Sequence, residues 1–151
     1  MDDGAQMRAS DGQLSGFIGY SLKRALSIVQ ADLAQVLADF DLRAVSFSAL
    51  TIIAEQPGLT QTQLAEALWI EKSNLVFILD ELMARGLILR APVAHDRRRH
   101  ALMPTVAGQS LAQELRAKVQ AHEQRLFAAL TGAEQAELQR LLQKFRATAG
   151  L

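Results

Sequence analysis

Cysteine is absent from this chain of 151 residues, proline occurs three times, and tryptophan and tyrosine occur once each. Without cysteine there is no disulfide scaffold, no thiolate zinc site, no cysteine nucleophile and no peroxide sensor that works through a thiol. No apolar run is longer than that at residues 75–79, which is far shorter than the ~20 residues of a membrane-spanning helix. The first residues, MDDGAQMRASDG, are polar and do not resemble a signal peptide. We therefore expect one soluble, cytoplasmic domain with no membrane partner.

An excess of one charge is also lacking, because 16 basic residues balance 16 acidic ones. The balance is uneven along the chain, since residues 85–99 hold five arginines and a single acid, Asp96. A concentrated basic segment in a neutral protein is typical of a surface that meets a polyanion at one place. A solvated arginine-rich loop without a partner is the alternative interpretation.

The first half of the chain has the hydrophobic pattern of helices. Apolar residues recur every three or four positions over residues 13–40, which predicts one long amphipathic helix. A second helix is predicted over residues 47–55, with Ser46 as its N-cap and with Pro57 and Gly58 ending it. The second of these helices is expected to open the central domain of the chain.

That domain continues with two short helices and a change of hydrophobic period. Thr60 and Gln63 form a capping box that opens a third helix, and a fourth runs over about residues 71–85 until Gly86 ends it. Two short aliphatic runs then flank a proline and a charged tip, which predicts a β-hairpin with a long basic loop over residues 87–103.

Two further helices complete the predicted order, one beginning at Thr105 and one at a capping box of Thr131 and Glu134. The predicted fold class is mainly α with a small β-hairpin wing. Its centre is a winged helix-turn-helix domain at residues 46–104. A flexible tail at 1–12 and helical dimerisation regions at 13–45 and 105–151 flank that domain, since the apolar stripes of the flanking helices are too long for it to cover.

The fourth helix has the two faces that a DNA recognition helix needs. Ser73 and Asn74 lie in its first turn, where short polar side chains meet base edges in a major groove. Phe77 points away from the core, where it contacts DNA or packs on a neighbouring element. Asp80 and Glu81 would repel phosphates, so only the first half of the helix is expected to enter deeply. The opposite face is predicted to be buried, with Leu75, Ile78, Leu79 and Leu82.

The two segments GLTQTQLAEALWIEKSNLVFILDELMARGLILR and DRRRHALMPTVAG resemble the MarR (multiple antibiotic resistance regulator) family of winged-helix repressors over residues 50–108. The resemblance implies a homodimer that binds a palindromic operator in double-stranded DNA. It also implies that Asp96 orients Arg98 while wing arginines reach the DNA. Many members carry a basic residue at the position of Phe77 and serine or threonine at that of Val76. Base readout is therefore expected to be more apolar than is usual in the family.

The candidate residues fall into two groups. Amides at a helix start suit phosphates, and polar side chains of the recognition helix suit base edges. Arginines of the wing suit a narrow minor groove. The predicted DNA-binding residues are Thr60, Gln61, Lys72, Ser73, Asn74, Phe77, Arg90, Asp96, Arg97, Arg98 and Arg99. The resemblance also implies a pocket for a small aromatic or phenolic effector, for which the candidates are Phe17, Tyr20, Arg24, Phe47 and Trp69, with a mixed aromatic core as the alternative.

No motif indicates catalysis, a cofactor or a metal. His95, His100 and His122 have no HExxH spacing and no cysteine partner, and the chain has neither a GxSxG turn nor a glycine-rich phosphate loop. An enzyme is therefore not expected. Two other function classes stay open: a winged-helix module that binds protein through Phe77 and the wing, and a ligand-binding protein with vestigial DNA contacts.

Overall fold

A computed structural model describes residues 12–93 and 96–148 of the chain. A short 3₁₀ helix, Gly12–Gly16, precedes six α-helices and three strands. In chain order these are α1 (Ile18–Ala38), α2 (Ala44–Glu55), β1 (Leu59–Thr60), α3 (Gln61–Leu68), α4 (Lys72–Ala84), β2 (Ile88–Val93), β3 (Asp96–Pro104), α5 (Val106–Leu126) and α6 (Gly132–Thr148). The predicted class, mainly helical with a small β wing, is confirmed.

The prediction of one unbroken helix over residues 13–40 is wrong at both ends. Phe17 has an extended backbone between the 3₁₀ helix and α1, and two glycines near this point lower the helix propensity. At the other end, Asp41 adopts a left-handed φ of 50°. The Leu42 N–H then donates to the Leu37 carbonyl at 3.3 Å, which closes the helix in the manner of a glycine C-cap.

The prediction that Ser46 is the N-cap of the second helix is wrong. α2 begins at Ala44, three residues earlier than predicted, with Arg43 as its N-cap residue, and Ser46 lies fully buried in its first turn. A buried hydroxyl needs a partner. Ser46 donates to the Glu81 carboxylate on α4 at 3.2 Å, so it joins two helices instead of capping one.

Both predicted capping boxes are confirmed. The Gln63 N–H donates to Thr60 Oγ1 at 3.3 Å, and the Thr60 N–H donates to Gln63 Oε1 at 2.9 Å. The same reciprocal bonds join Thr131 and Glu134 at the start of α6. Hydrogen bonds from the backbone N–H and the hydroxyl of Thr131 lower the pKa of the Glu134 carboxyl from its ordinary value.

The wing is a three-stranded antiparallel sheet in the order β1-β3-β2. The prediction of a long basic loop inside the hairpin is wrong. β2 and β3 pair from Ile88 opposite Pro104 to Val93 opposite Asp96, with an irregularity between Pro92 and Val93. Only residues 94 and 95, where His95 falls, lie between the strands, and they are outside the described residues. The arginines at 97–99 are therefore part of a strand. Pro92 is tolerated because β2 is an edge strand.

One hydrophobic core holds α4 in place. The predicted inner face of α4 is buried, and it packs with leucines and isoleucines of α1, α2, α3, α5 and the sheet. Burying such side chains contributes roughly 1.5–3 kcal/mol each. The largest fully buried aliphatic side chains are Leu37, Leu50, Ile53, Leu64, Leu75, Leu79, Leu82, Leu102 and Leu115.

The first and last helices leave apolar side chains outside this core. α6 has no buried residue, and Leu141 and Phe145 are 48% and 58% exposed. On α1, Ile18 and Leu26 are exposed too. Within residues 12–93 and 96–148, no helix combines the length and the apolar character that crossing a membrane requires.

Candidate nucleic-acid interface

The outward face of α4 carries the predicted base-reading residues together. Lys72, Ser73 and Asn74 are exposed in the first turn, and Phe77, one turn later, is 73% exposed. Leu75, between them in sequence, is buried, because successive helical residues are rotated by about 100°. The core therefore fixes which side of α4 faces outward, and that side carries short polar groups and one large aromatic ring.

The two carboxylates expected to repel phosphates each have a cationic partner. Arg90 Nη2 lies 3.7 Å from Asp80 Oδ1, and Arg43 Nη2 donates to Glu81 Oε2 at 2.7 Å. Ser46 donates to the same Glu81 oxygen. Opposite charges at these distances reduce the field that each carboxylate projects toward an approaching strand.

Arg85, counted with the basic segment in the sequence, belongs to the scaffold. Its guanidinium donates to the carbonyl oxygens of Phe40 and Asp41, each at 2.9 Å. These carbonyls belong to the turn that follows α1, so Arg85 satisfies backbone groups just beyond the end of the helix. Together with the pairing of Arg43 and Glu81, this contact ties α4 to the α1–α2 junction.

Thr60, Gln61 and Arg90 also have partners within the chain. The Thr60 hydroxyl donates to Gln63 Oε1 at 2.9 Å. With the Gln61 amide turned so that its oxygen faces Arg90, that oxygen accepts from Arg90 Nη2 at 3.1 Å and from Nε at 3.3 Å. Arg90 thus connects the wing to α3 through Gln61 and to α4 through Asp80.

The remaining predicted DNA-binding residues are in β3. Asp96, Arg97, Arg98 and Arg99 begin that strand. Their side chains lie outside the described part of the structure, and the pairing of Asp96 with Arg98 stays a prediction. The backbone of β3 continues to Pro104, which leads directly into α5.

The five candidate effector residues do not share one cleft in the single chain. Arg24 Nη1 donates to the Tyr20 hydroxyl at 3.5 Å on α1, and Phe17 lines a shallow cleft of about 350 Å³ at the start of that helix. Phe47 is half-buried against the core. Trp69 lies elsewhere, in a cleft of about 950 Å³ that Lys72, Ser73 and Asn74 also line.

The histidines do not form a metal site in the described ranges, 12–93 and 96–148, where no group of three or more potential ligands comes together. His122 Nδ1 lies 3.2 Å from Asp32 Oδ2, which joins α5 to α1. His100 is exposed in β3, opposite Pro92.

Comparison with known proteins identifies this arrangement. The family model described as MarR family matches residues 42–100. A solved structure of the transcriptional repressor CouR bound to a 23-mer DNA duplex is 34% identical in sequence and superposes with a TM-score of 0.86, covering 91% of this chain and 98% of that one. The chain belongs to the MarR family.

A second structure of CouR and one further relative support the assignment. CouR bound to p-coumaroyl-CoA is 32% identical, with a TM-score of 0.81 and coverage of 91% of this chain and 97% of that one. A transcriptional regulatory protein for the hcr operon of Thauera aromatica is 29% identical over 88% of this chain and 81% of its own length. The resemblance found in the sequence and the winged helix-turn-helix fold are thereby confirmed, and the chain is a transcriptional regulator of this family.

Proposed function

We propose that this chain is a homodimeric repressor that binds a palindromic operator in the cytoplasm and is released by a small aromatic ligand. It acts by binding, without catalysis, metal or cofactor. The observation that carries the proposal is the exposed polar turn of α4, Lys72 to Asn74, beside an arginine-bearing hairpin. The similar repressor CouR, which is bound to a DNA duplex, supports it.

Each part of the interface has a separate role in this proposal. Residues 46–104 form the DNA-binding domain, in which Ser73, Asn74 and Phe77 read base edges from the major groove. The arginines at 97–99 enter the adjacent minor groove. Gln61 and Arg90 hold the wing at a fixed angle to the recognition helix, because they connect β2 with α3 and α4.

The dimer is proposed from the uncovered apolar faces. Residues 13–45 and 105–151 supply these faces, chiefly on α1 and α6. A two-fold axis would bury them against their copies and place two α4 helices about one DNA turn apart. The operator is therefore expected to be a palindrome.

The effector is proposed to be an aromatic carboxylic acid or its coenzyme A thioester. CouR, bound in one structure to p-coumaroyl-CoA, supports this class. Phe17, Tyr20 and Arg24 at the start of α1 would contact it. A ligand that shifts α1 also moves α4, since Arg85 and Glu81 join α4 to the α1–α2 junction. The ligand need only bind better to the conformer in which the α4 helices are misplaced.

The test of the proposal is fluorescence anisotropy of a labelled duplex from the chain's own upstream intergenic region, with a scrambled duplex as the control. Binding should prefer the upstream duplex and should weaken about a thousandfold between about 50 mM and about 200 mM salt, since bound phosphates release counterions. Adding an aromatic acid or thioester should then release the DNA. Failure to bind either duplex at the lower salt would contradict the proposal and favour a protein-binding module.

Arg98→Ala is the variant that tests the wing in the same assay. We expect weaker binding to both duplexes and a shallower salt dependence, because the variant loses one positive charge that neutralises DNA phosphates. The dimer and its thermal unfolding should not change. Arg125→Ala, which removes the same charge from the last turn of α5, is the matched control and should bind as the unmodified protein does. Equal affinities of the two variants would remove Arg98 from the interface.

Phe77→Ala tests apolar base readout. The ring is 73% exposed, so its removal costs little stability. We expect discrimination between the upstream and scrambled duplexes to fall by about tenfold, as for a mismatched contact, while weak nonspecific binding persists. A footprint and an affinity ratio identical to those of the unmodified protein would exclude Phe77 from base reading.

A further inference from the structure

Trp69 occupies a backbone conformation that a large side chain rarely adopts. Its φ of 57° and ψ of 43° are left-handed, and it ends α3 immediately before the recognition helix. The Trp69 N–H donates to the Glu66 carbonyl at 3.2 Å, and the Ile70 N–H donates to the Ala65 carbonyl at 3.2 Å. This is the hydrogen-bond pattern in which helices usually place glycine. A tryptophan held there is costly and indicates a function for its side chain.

The surroundings prevent the chain from relaxing away from this conformation. Ile70, the next residue, packs against the hydrophobic core, so the backbone on the C-terminal side is anchored. The indole is nevertheless 58% exposed. The core therefore fixes the position of Trp69 while leaving most of its ring uncovered.

Trp69 shares its cleft with the first turn of α4. Lys72, Ser73 and Asn74 line the same cleft of about 950 Å³, and these are residues proposed above to meet DNA. The cleft is continuous with that interface and lies apart from the cleft at Phe17. The sequence placed Trp69 with the effector candidates, whereas its neighbours belong to the DNA-facing surface.

We propose that Trp69 contacts the operator, with its indole packed against the deoxyribose edge of the strand that borders the major groove entered by α4. Glu66 and Glu71 also line the cleft, and their negative charge disfavours a phosphate at its floor. The strand therefore runs along the rim, where the apolar ring meets a sugar and Lys72 lies beside it. The inference rests on the DNA-binding function proposed above and adds a residue to its contact surface.

Trp69 is the only tryptophan, so emission excited at a wavelength that tyrosine does not absorb reports this one side chain in each subunit. The experiment titrates the full-length protein with the upstream duplex while following label anisotropy and tryptophan emission in the same sample. We expect the emission to change in step with the anisotropy and acrylamide quenching to fall by about half on saturation, because burial at an interface excludes the quencher.

Trp69→Gly separates contact from folding. Glycine relieves the left-handed strain, which offsets the lost indole packing, so the melting temperature should stay within about 2 °C of the unmodified value or rise. Operator affinity should fall by about tenfold, the loss typical of a truncated aromatic contact. Trp69→Phe should recover part of it. Val106→Ala, which trims a side chain 89% exposed on α5, is the control and should not alter affinity.

The possible outcomes distinguish failure of the Trp69 contact from failure of the proposed DNA-binding function. Rising anisotropy with unchanged emission, unchanged quenching and full affinity of Trp69→Gly would overturn the Trp69 contact and leave the DNA-binding proposal intact. Quenching that is already low in the DNA-free dimer would mean that the partner subunit covers the indole, which also overturns the contact. Unchanged anisotropy would overturn the DNA-binding proposal and the contact with it.

Discussion

Leu141→Asp combined with Phe145→Asp is expected to convert the dimer into monomers and to lower operator affinity by at least about a hundredfold. Both side chains lie on one face of α6, four residues apart, and are 48% and 58% exposed in the single chain. Carboxylates on this face would have to lose water and approach their copies across a two-fold axis. A monomer binds one half-site, so it lacks the high effective concentration of the second recognition helix.

The substitution leaves the fold of each protomer intact, because α6 contributes no buried residue to the core. The matched control is Gln143→Asp with Ala147→Asp, which makes the same charge change at the same spacing on the opposite face of α6. Light scattering after gel filtration gives the mass, and anisotropy gives the affinity. If Leu141→Asp/Phe145→Asp stays dimeric, or binds the operator as tightly as the control, α6 does not form the interface.

Local signals predicted both capping boxes, because the cause of each is local. Thr60 with Gln63 and Thr131 with Glu134 are reciprocal bonds within three residues, so the sequence alone contains both partners. β1 was not predicted, because a segment of two residues, Leu59–Thr60, is too short to show the alternating pattern of a strand. It exists because β3 offers it a pairing edge.

The misassigned residues have partners far away in the sequence. Ser46 reaches Glu81 across 35 positions, and Arg85 reaches the Asp41 carbonyl across 44. Capping preference and local charge count contain no information on such distant partners. Ser46 was therefore interpreted as a cap and Arg85 as part of a polyanion-binding segment. Trp69, predicted to be an effector contact, lies in a cleft with Lys72 and Ser73, a placement that residue type alone does not reveal.

Gly108→Ala is expected to cause the largest loss of stability among single methyl additions to a glycine of the described helices. Gly108 is buried in the first turn of α5, and its N–H donates to Thr105 Oγ1 at 3.0 Å. A Cβ on this residue would overlap the carbonyl group of Leu87. A shift of that carbonyl would break a hydrogen bond, because it accepts from the Thr105 N–H at 3.0 Å. Relief therefore requires backbone movement where the hairpin joins α5.

We expect Gly108→Ala to lower the free energy of unfolding by about 3 kcal/mol, at the upper end of overpacking costs, and the melting temperature by about 10 °C. Gly132→Ala is the matched control: it also adds a methyl group in the first turn of a helix, but a Cβ there meets no atom within 4 Å. Its melting temperature should not fall, since alanine favours the helix. Equal melting temperatures for the two variants would mean that the junction between Leu87 and α5 yields without cost.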